Sequence, residues 1–178
     1  MIQAEIGGAA KVDGSTGLQA PGFMIRDFTL DSQAGEKVQI SSFRGRANLI
    51  LVFPADLDAM QAFLRDLENE SGKFREEEAE IVVIDGRERR ESSMPSPQNG
   101  SSILVLLDPT LTVYRLFGAV DQNGQPVPLV HVTDRFGEIV STCVAPACAM
   151  PPDVGEILHT LEFLNQQCPE CEPPEWPR

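Results

Sequence analysis

Asn48-Leu49-Ile50-Leu51-Val52-Phe53-Pro54, and the residues that follow it from Asp58, decide the fold. The first six are an almost unbroken apolar run, the pattern of a strand covered on both faces, and Pro54 ends it. The period then becomes helical. Met60, Phe63, Leu64, Leu67 and Phe74 fall on one stripe, while Arg65, Asp66, Glu68 and Glu70 take the other side. The acidic run Glu76-Glu77-Glu78 closes or follows this helix, and Ile81-Val82-Val83-Ile84 is a second covered strand that ends at Asp85. A covered strand, a helix and another covered strand make a βαβ unit, which requires a parallel sheet with helices over its faces.

The rest of the chain extends that unit in both directions. Residues 86–102 are polar, hold two prolines and the basic trio Arg87, Arg89 and Arg90, and are expected to be a solvated loop. Residues 103–107 are a third apolar strand. Asp108 is placed to cap a helix over 109–117, with Pro109 in its first turn and Gly118 as its stop. Asn123-Gly124 marks a turn. Strands over 129–132 and 138–144 flank Thr133-Asp134-Arg135-Phe136-Gly137 as a hairpin, and Ile157, Leu158, Leu161 and Leu164 stripe a helix over 152–166. Upstream, short strands at 27–30 and 37–40 meet through a turn at 32–36 that contains Gly35. The expected order is β-β-β-α-β-β-α-β-β-α, an α/β mixed central sheet with helices on both faces and an N-terminal β-hairpin. Three segments follow: a flexible N-terminal arm over 1–19, one domain over 20–166, and a Cys-Pro-Glu-Cys tail over 167–178.

Composition agrees with a single globular unit, because 178 residues with 42% hydrophobic and 23% charged side chains bury an ordinary core. The net charge of −13 repels phosphate backbones and anionic lipid, which argues against nucleic-acid and membrane partners. The N-terminus lacks the basic start and apolar run of a secretory signal, and no stretch approaches the roughly 20 apolar residues that cross a bilayer. A cytoplasmic protein is expected.

Several strings resemble one family. Ala20-Pro21, Asp27-Phe28-Thr29-Leu30, Ser42-Phe43-Arg44-Gly45 and the run from Leu49 to Pro54 are similar to the opening of peroxiredoxins. Leu107-Asp108-Pro109 through Phe117-Gly118 resembles a later helix entry. Pro128, followed by Asp134-Arg135-Phe136-Gly137-Glu138-Ile139, resembles the strand pair of redoxins. The chain therefore resembles the alkyl hydroperoxide reductase/thiol-specific antioxidant family from about residue 18 to 164. The resemblance implies a thioredoxin-like fold and either peroxide reduction or dithiol exchange in cell redox homeostasis. It also implies a nucleophilic cysteine seven residues after Pro54, a threonine four residues after it, and an arginine at the position of Pro128. This chain has Gln61, Asp58 and Pro128 there. The thioredoxin pattern of two cysteines also falls on Asp58 and Gln61. Neither a carboxylate nor an amide forms an attacking thiolate, so the family site is expected to be degenerate. In the thioredoxin branch a cis proline opens the strand at Pro128, which would leave Pro54, Asp58, Val127 and Pro128 as a docking face without chemistry; an ordinary trans proline at a strand start is the other reading.

The four cysteines supply the remaining redox chemistry: Cys143, Cys148, Cys168 and Cys171. Cys168-Pro169-Glu170-Cys171 is a Cys-x-x-Cys pair, read as a redox or regulatory disulfide, half of a zinc site, or an incidental exposed pair. A single four-thiolate site is disfavoured because the last helix, about 21 Å long at 1.5 Å per residue, separates Cys148 from Cys168. Cys143 is read as a small core hydrophobe, with a local Cys143–Cys148 disulfide as the other reading. His131 is read as a core histidine satisfied by a hydrogen bond, His159 as solvated, and Asp56 and Asp58 as helix caps. No resident metal or cofactor is expected. The leading expectation is a redoxin whose thiol–disulfide exchange, if any, runs through Cys168 and Cys171 with a protein thiol or disulfide partner; a homodimer is compatible with it. The alternative is a non-catalytic binding or regulatory module.

Overall fold

The computed structural model describes residues 19–87, 102–145 and 151–166. A seven-stranded mixed sheet organises them. Its strands are β1 (Thr29–Ser32), β2 (Lys37–Gln39), β3 (Asn48–Phe53), β4 (Ala79–Asp85), β5 (Ile103–Leu107), β6 (Leu129–Thr133) and β7 (Ile139–Val144), in the spatial order β2-β1-β5-β4-β3-β6-β7. β3, β4 and β5 are parallel, whereas β6, β7 and the β1–β2 hairpin add antiparallel edges. The helices are α1 (Leu57–Asn69), α2 (Ser71–Glu76), α3 (Thr112–Phe117) and α4 (Val154–Asn165), with a 3-10 turn at Ile40–Phe43.

Strand alternation sorts the core into two halves. Ile50 and Val52 of β3 face α1, α2 and α4, together with Ile81, Val83, Val130 and Val132. Leu49, Leu51 and Phe53 face α3 and the segment around Ile25, Phe28 and Ile40, together with Val82 and Ile84. All six residues of β3 are buried, as an interior strand covered on both faces requires.

Several element boundaries differ from the sequence expectation. The single helix expected through Phe74 breaks at Glu70, whose backbone leaves helical geometry (φ −92°, ψ 9°), and Ser71-Gly72 start α2. Phe74 still reaches the α1 core, because the break turns the chain without moving the apolar face away. The helix expected from residue 109 begins at Thr112. Asp108 caps it across an intervening turn, accepting from the backbone N–H groups of Thr112, Val113 and Tyr114 at 3.0, 2.7 and 3.0 Å. Leu111 takes the left-handed conformation (φ 54°) that this detour needs. The hairpin strands are offset as well, since β1 starts at Thr29 and Ile40 leaves β2 for the 3-10 turn.

Gln19, expected within the arm, donates from Nε2 to the Leu116 carbonyl at 3.3 Å. The remainder of the arm and the whole tail lie outside the described residues. Among the described residues no helix is long and apolar enough to cross a membrane.

Candidate active-site face

In an open α/β sheet the carboxyl ends of the parallel strands form the functional edge. Here that edge is built from the end of β3 with the start of α1, the end of β4, and the start of β6. Phe53 of β3 pairs with Leu129 of β6, so Pro54 and Pro128 emerge opposite one another at the same end of the sheet. Pro54 is buried and Pro128 half-buried. The Tyr114 hydroxyl lies 2.8 Å from the Pro54 carbonyl and 2.7 Å from the Ile84 carbonyl, sharing its one proton between the ends of β3 and β4. Burial, reinforced by the field of Asp85, pushes the Tyr114 phenol well above its ordinary range, so it serves as a fixed neutral donor.

α1 begins immediately beyond Pro54. Asp56 is its cap and accepts from the Asp58 backbone N–H at 2.9 Å. Asp58, in the first turn, accepts from Nε2 of Gln61 at 3.1 Å. Both side chains are exposed. The positive end of the helix thus faces two of the chain's own carboxylates, the favourable placement for negative charge. The two positions expected to carry threonine and cysteine are joined to each other by a carboxylate–amide hydrogen bond.

Asp85 closes β4 and is almost completely buried. Arg87 folds back on it: its backbone N–H and Nε donate to Oδ1 at 3.0 and 3.1 Å, and Nη2 to Oδ2 at 3.3 Å. This bidentate bond to Asp85 is the main reason the guanidinium holds its proton more firmly than usual. Burial opposes it, and the fields of Asp58 and Asp56 add to it. Arg87 is therefore not the solvated loop residue expected from the basic trio; it is an ion-pair partner at the strand-end face. Asp85-Gly86-Arg87 directly after an apolar strand was the available signal, and it was obscured by grouping Arg87 with Arg89 and Arg90, which lie outside the described residues.

The other expected positions are scattered. Cys143 lies on β7 opposite Val130, faces the α1–α4 half of the core, and is disulfide-bonded. Cys148, Cys168 and Cys171 lie outside the described residues. His131 is fully buried, with Nδ1 2.9 Å from Thr142 Oγ1. His159 is exposed, 3.8 Å from a Glu162 carboxylate oxygen. No cluster of three or more His, Cys, Asp or Glu side chains suited to a metal ion exists among the described residues. A groove of about 810 Å³ runs between α1 and α4, over Phe63, Asp66, Glu156 and Ile157, and shares no lining residue with the strand-end face.

The model of the AhpC/TSA family matches residues 21–142, most of the chain, and spans both the hairpin and the strand-end face. The chain belongs to the AhpC/TSA family. Solved structures of similar fold include the mitochondrial 2-Cys peroxiredoxin from Plasmodium falciparum, at 16% identity, 82% of this chain, 94% of that one and a TM-score of 0.68. Peroxidoxin BcpB from Mycobacterium tuberculosis is similar at 20% identity, with 81% and 97% coverage and a TM-score of 0.70. AhpC from Mycobacterium tuberculosis is similar at 14% identity, with 84% and 94% coverage and a TM-score of 0.64. No curated protein matches the chain. The thioredoxin-like α/β architecture of this AhpC/TSA chain is thus shared with peroxiredoxins over nearly their full length.

Proposed function

We propose that this AhpC/TSA-family chain has given up peroxide reduction at the start of α1, and that its thiol–disulfide exchange runs through Cys168 and Cys171. The observation that supports this is the Asp58–Gln61 hydrogen bond at the positive end of α1. A peroxidatic thiolate is stabilised by such a helix end and by a nearby cation. In this chain the helix end faces the carboxylates of Asp56 and Asp58, and Arg87 is committed to Asp85. Pro128 offers no charge where the family pattern has arginine. In the exchange, one Cys168/Cys171 thiolate attacks a partner disulfide to form a mixed disulfide. The second thiolate then resolves it, leaving an oxidised pair and a partner reduced by two electrons. The proposal includes a cytoplasmic location and a protein thiol or disulfide as partner.

A second reading, a non-catalytic binding module, is favoured by the Tyr114 bond to both strand ends, which holds Pro54 and the start of α1 in a fixed relation with no cysteine beside them among the described residues. Two assays on the full chain separate the readings: hydrogen peroxide consumption, and reduction of a model protein disulfide under dithiothreitol turnover. Disulfide reduction that disappears in the Cys168→Ser/Cys171→Ser variant, without peroxide consumption in either protein, supports exchange through the tail. Equal disulfide reduction in both proteins refutes it, and silence in both assays selects the binding module.

A further inference from the structure

His131 sits in the middle of β6, where alternation turns it toward the α3 half of the core, and it has no solvent exposure. Its ring lies 6.0 Å from that of Phe117, centre to centre. Nδ1 meets Thr142 Oγ1 across the β6–β7 pair, and Nε2 is buried without a hydrogen-bond partner among the described residues. With the Nδ1 proton donated to Thr142, the neutral ring leaves only a lone pair at Nε2. Protonation puts an N–H and a full charge there, both costly without an acceptor.

Among the described residues, the strands beside the ring and the helix over it provide no counter-charge. β3, which places Leu51 opposite His131, has no ionisable side chain. On β7 the only ionisable type is Cys143, which faces the other half of the core and is disulfide-bonded. On α3, Tyr114 is held neutral by burial, and Arg115 points outward to the Thr110 and Leu111 carbonyls. β7 is an edge strand, and β6 is its neighbour in the sheet.

We propose that His131 is an acid-sensitive latch for this edge: once protonated, the ring finds no acceptor for its Nε2–H in the core and leaves its site for solvent, which costs the β6–β7 pair its cross-strand side-chain bond and its apolar packing and releases β7 before the centre of the sheet. Burial lowers the His131 pKa from 6.5 to about 4, while the Ser141 backbone carbonyl, accepting from the ring, acts in the other direction. A depressed native pKa gives stability that is complete above the unfolded value, near 6.5, and is lost as the pH falls toward 4. Between pH 7.5 and 5.0 the folded-to-unfolded ratio is therefore expected to drop about 30-fold through this one group, about half of that factor falling below pH 6.5.

The test combines urea unfolding of wild type, His131→Gln and His131→Leu at pH 7.5, 6.5 and 5.0 with amide hydrogen exchange of wild type. The expected result is an excess acid loss of about 30-fold in wild type over both variants. In exchange corrected for intrinsic rates, β7 amides should lose protection at a higher pH than those of β3 and β4. Parallel pH profiles for wild type and a folded variant overturn the proposal. If neither variant folds, exchange decides alone, and equal acid dependence of β7 and β3 overturns it.

Discussion

Replacing Gln61 with cysteine asks directly whether the start of α1 still supports a thiolate. Gln61 Nε2 lies 3.1 Å from Asp58 Oδ1, and a sulfur at position 61 would sit about 4 Å from that carboxylate. Both positions are exposed, so the solvent dielectric applies and the repulsion is about 1 kcal/mol, or roughly 0.7 of a pKa unit. The helix end contributes about 0.3–1 kcal/mol in the opposite direction. The two nearly cancel, and Gln61→Cys should keep an ordinary thiol pKa of about 8.5. Adding Asp58→Thr removes the repulsion and should lower that value by about 0.7 unit, which gives roughly five times more thiolate at pH 7. The comparison is made in a Cys168→Ser/Cys171→Ser background, by thiolate absorbance against pH and by hydrogen peroxide consumption. Peroxide reactivity should rise with the thiolate fraction. A thiol pKa unchanged or raised by Asp58→Thr refutes the view that Asp58 fills the thiolate's electrostatic place.

Tyr114→Phe removes the donor shared by the Pro54 and Ile84 carbonyls and leaves both buried. A loss of about 1–3 kcal/mol is expected, read as a Tm lower by about 2–4 °C per kcal/mol; an unchanged Tm means the hydroxyl does not tie the strand ends together. Asp108→Ala strips the carboxylate that satisfies three backbone N–H groups at the start of α3. It should cost about 2 kcal/mol or more in urea unfolding, with Asp108→Asn recovering part of the loss; equal stability of the two variants contradicts the cap.

Much of the architecture was legible because its signals are local. The strand over Asn48–Phe53 and the one over Ile103–Leu107 have the boundaries expected from their apolar runs, and Gly118 ends α3 in the left-handed conformation expected of a helix stop. Boundaries were missed where a side chain competes with the backbone. Asp108 reaches across a turn to cap α3 from four residues away, and the Glu70 break is invisible to an apolar stripe that stays on one face through Phe74. The expectation for Asp58 and Gln61 rests on counting from Pro54, and the structure puts all three within one strand end and the first turns of α1.

By itself, the sequence determined the succession of the seven strands, the two-faced burial of the central ones, the absence of cysteine from α1, and an acidity unsuited to phosphate backbones. These are properties of period, composition and residue type, readable one segment at a time. Only the tertiary structure decided that Pro54 faces Pro128 across β3 and β6, that Tyr114 joins two strand ends, and that Arg87 turns back to Asp85 beside α1. It also decided that His131 is sealed, with one nitrogen unpaired among the described residues. Each of these depends on strand register and on which half of the core a residue enters, and register is set by long-range pairing that no single stretch of the chain encodes.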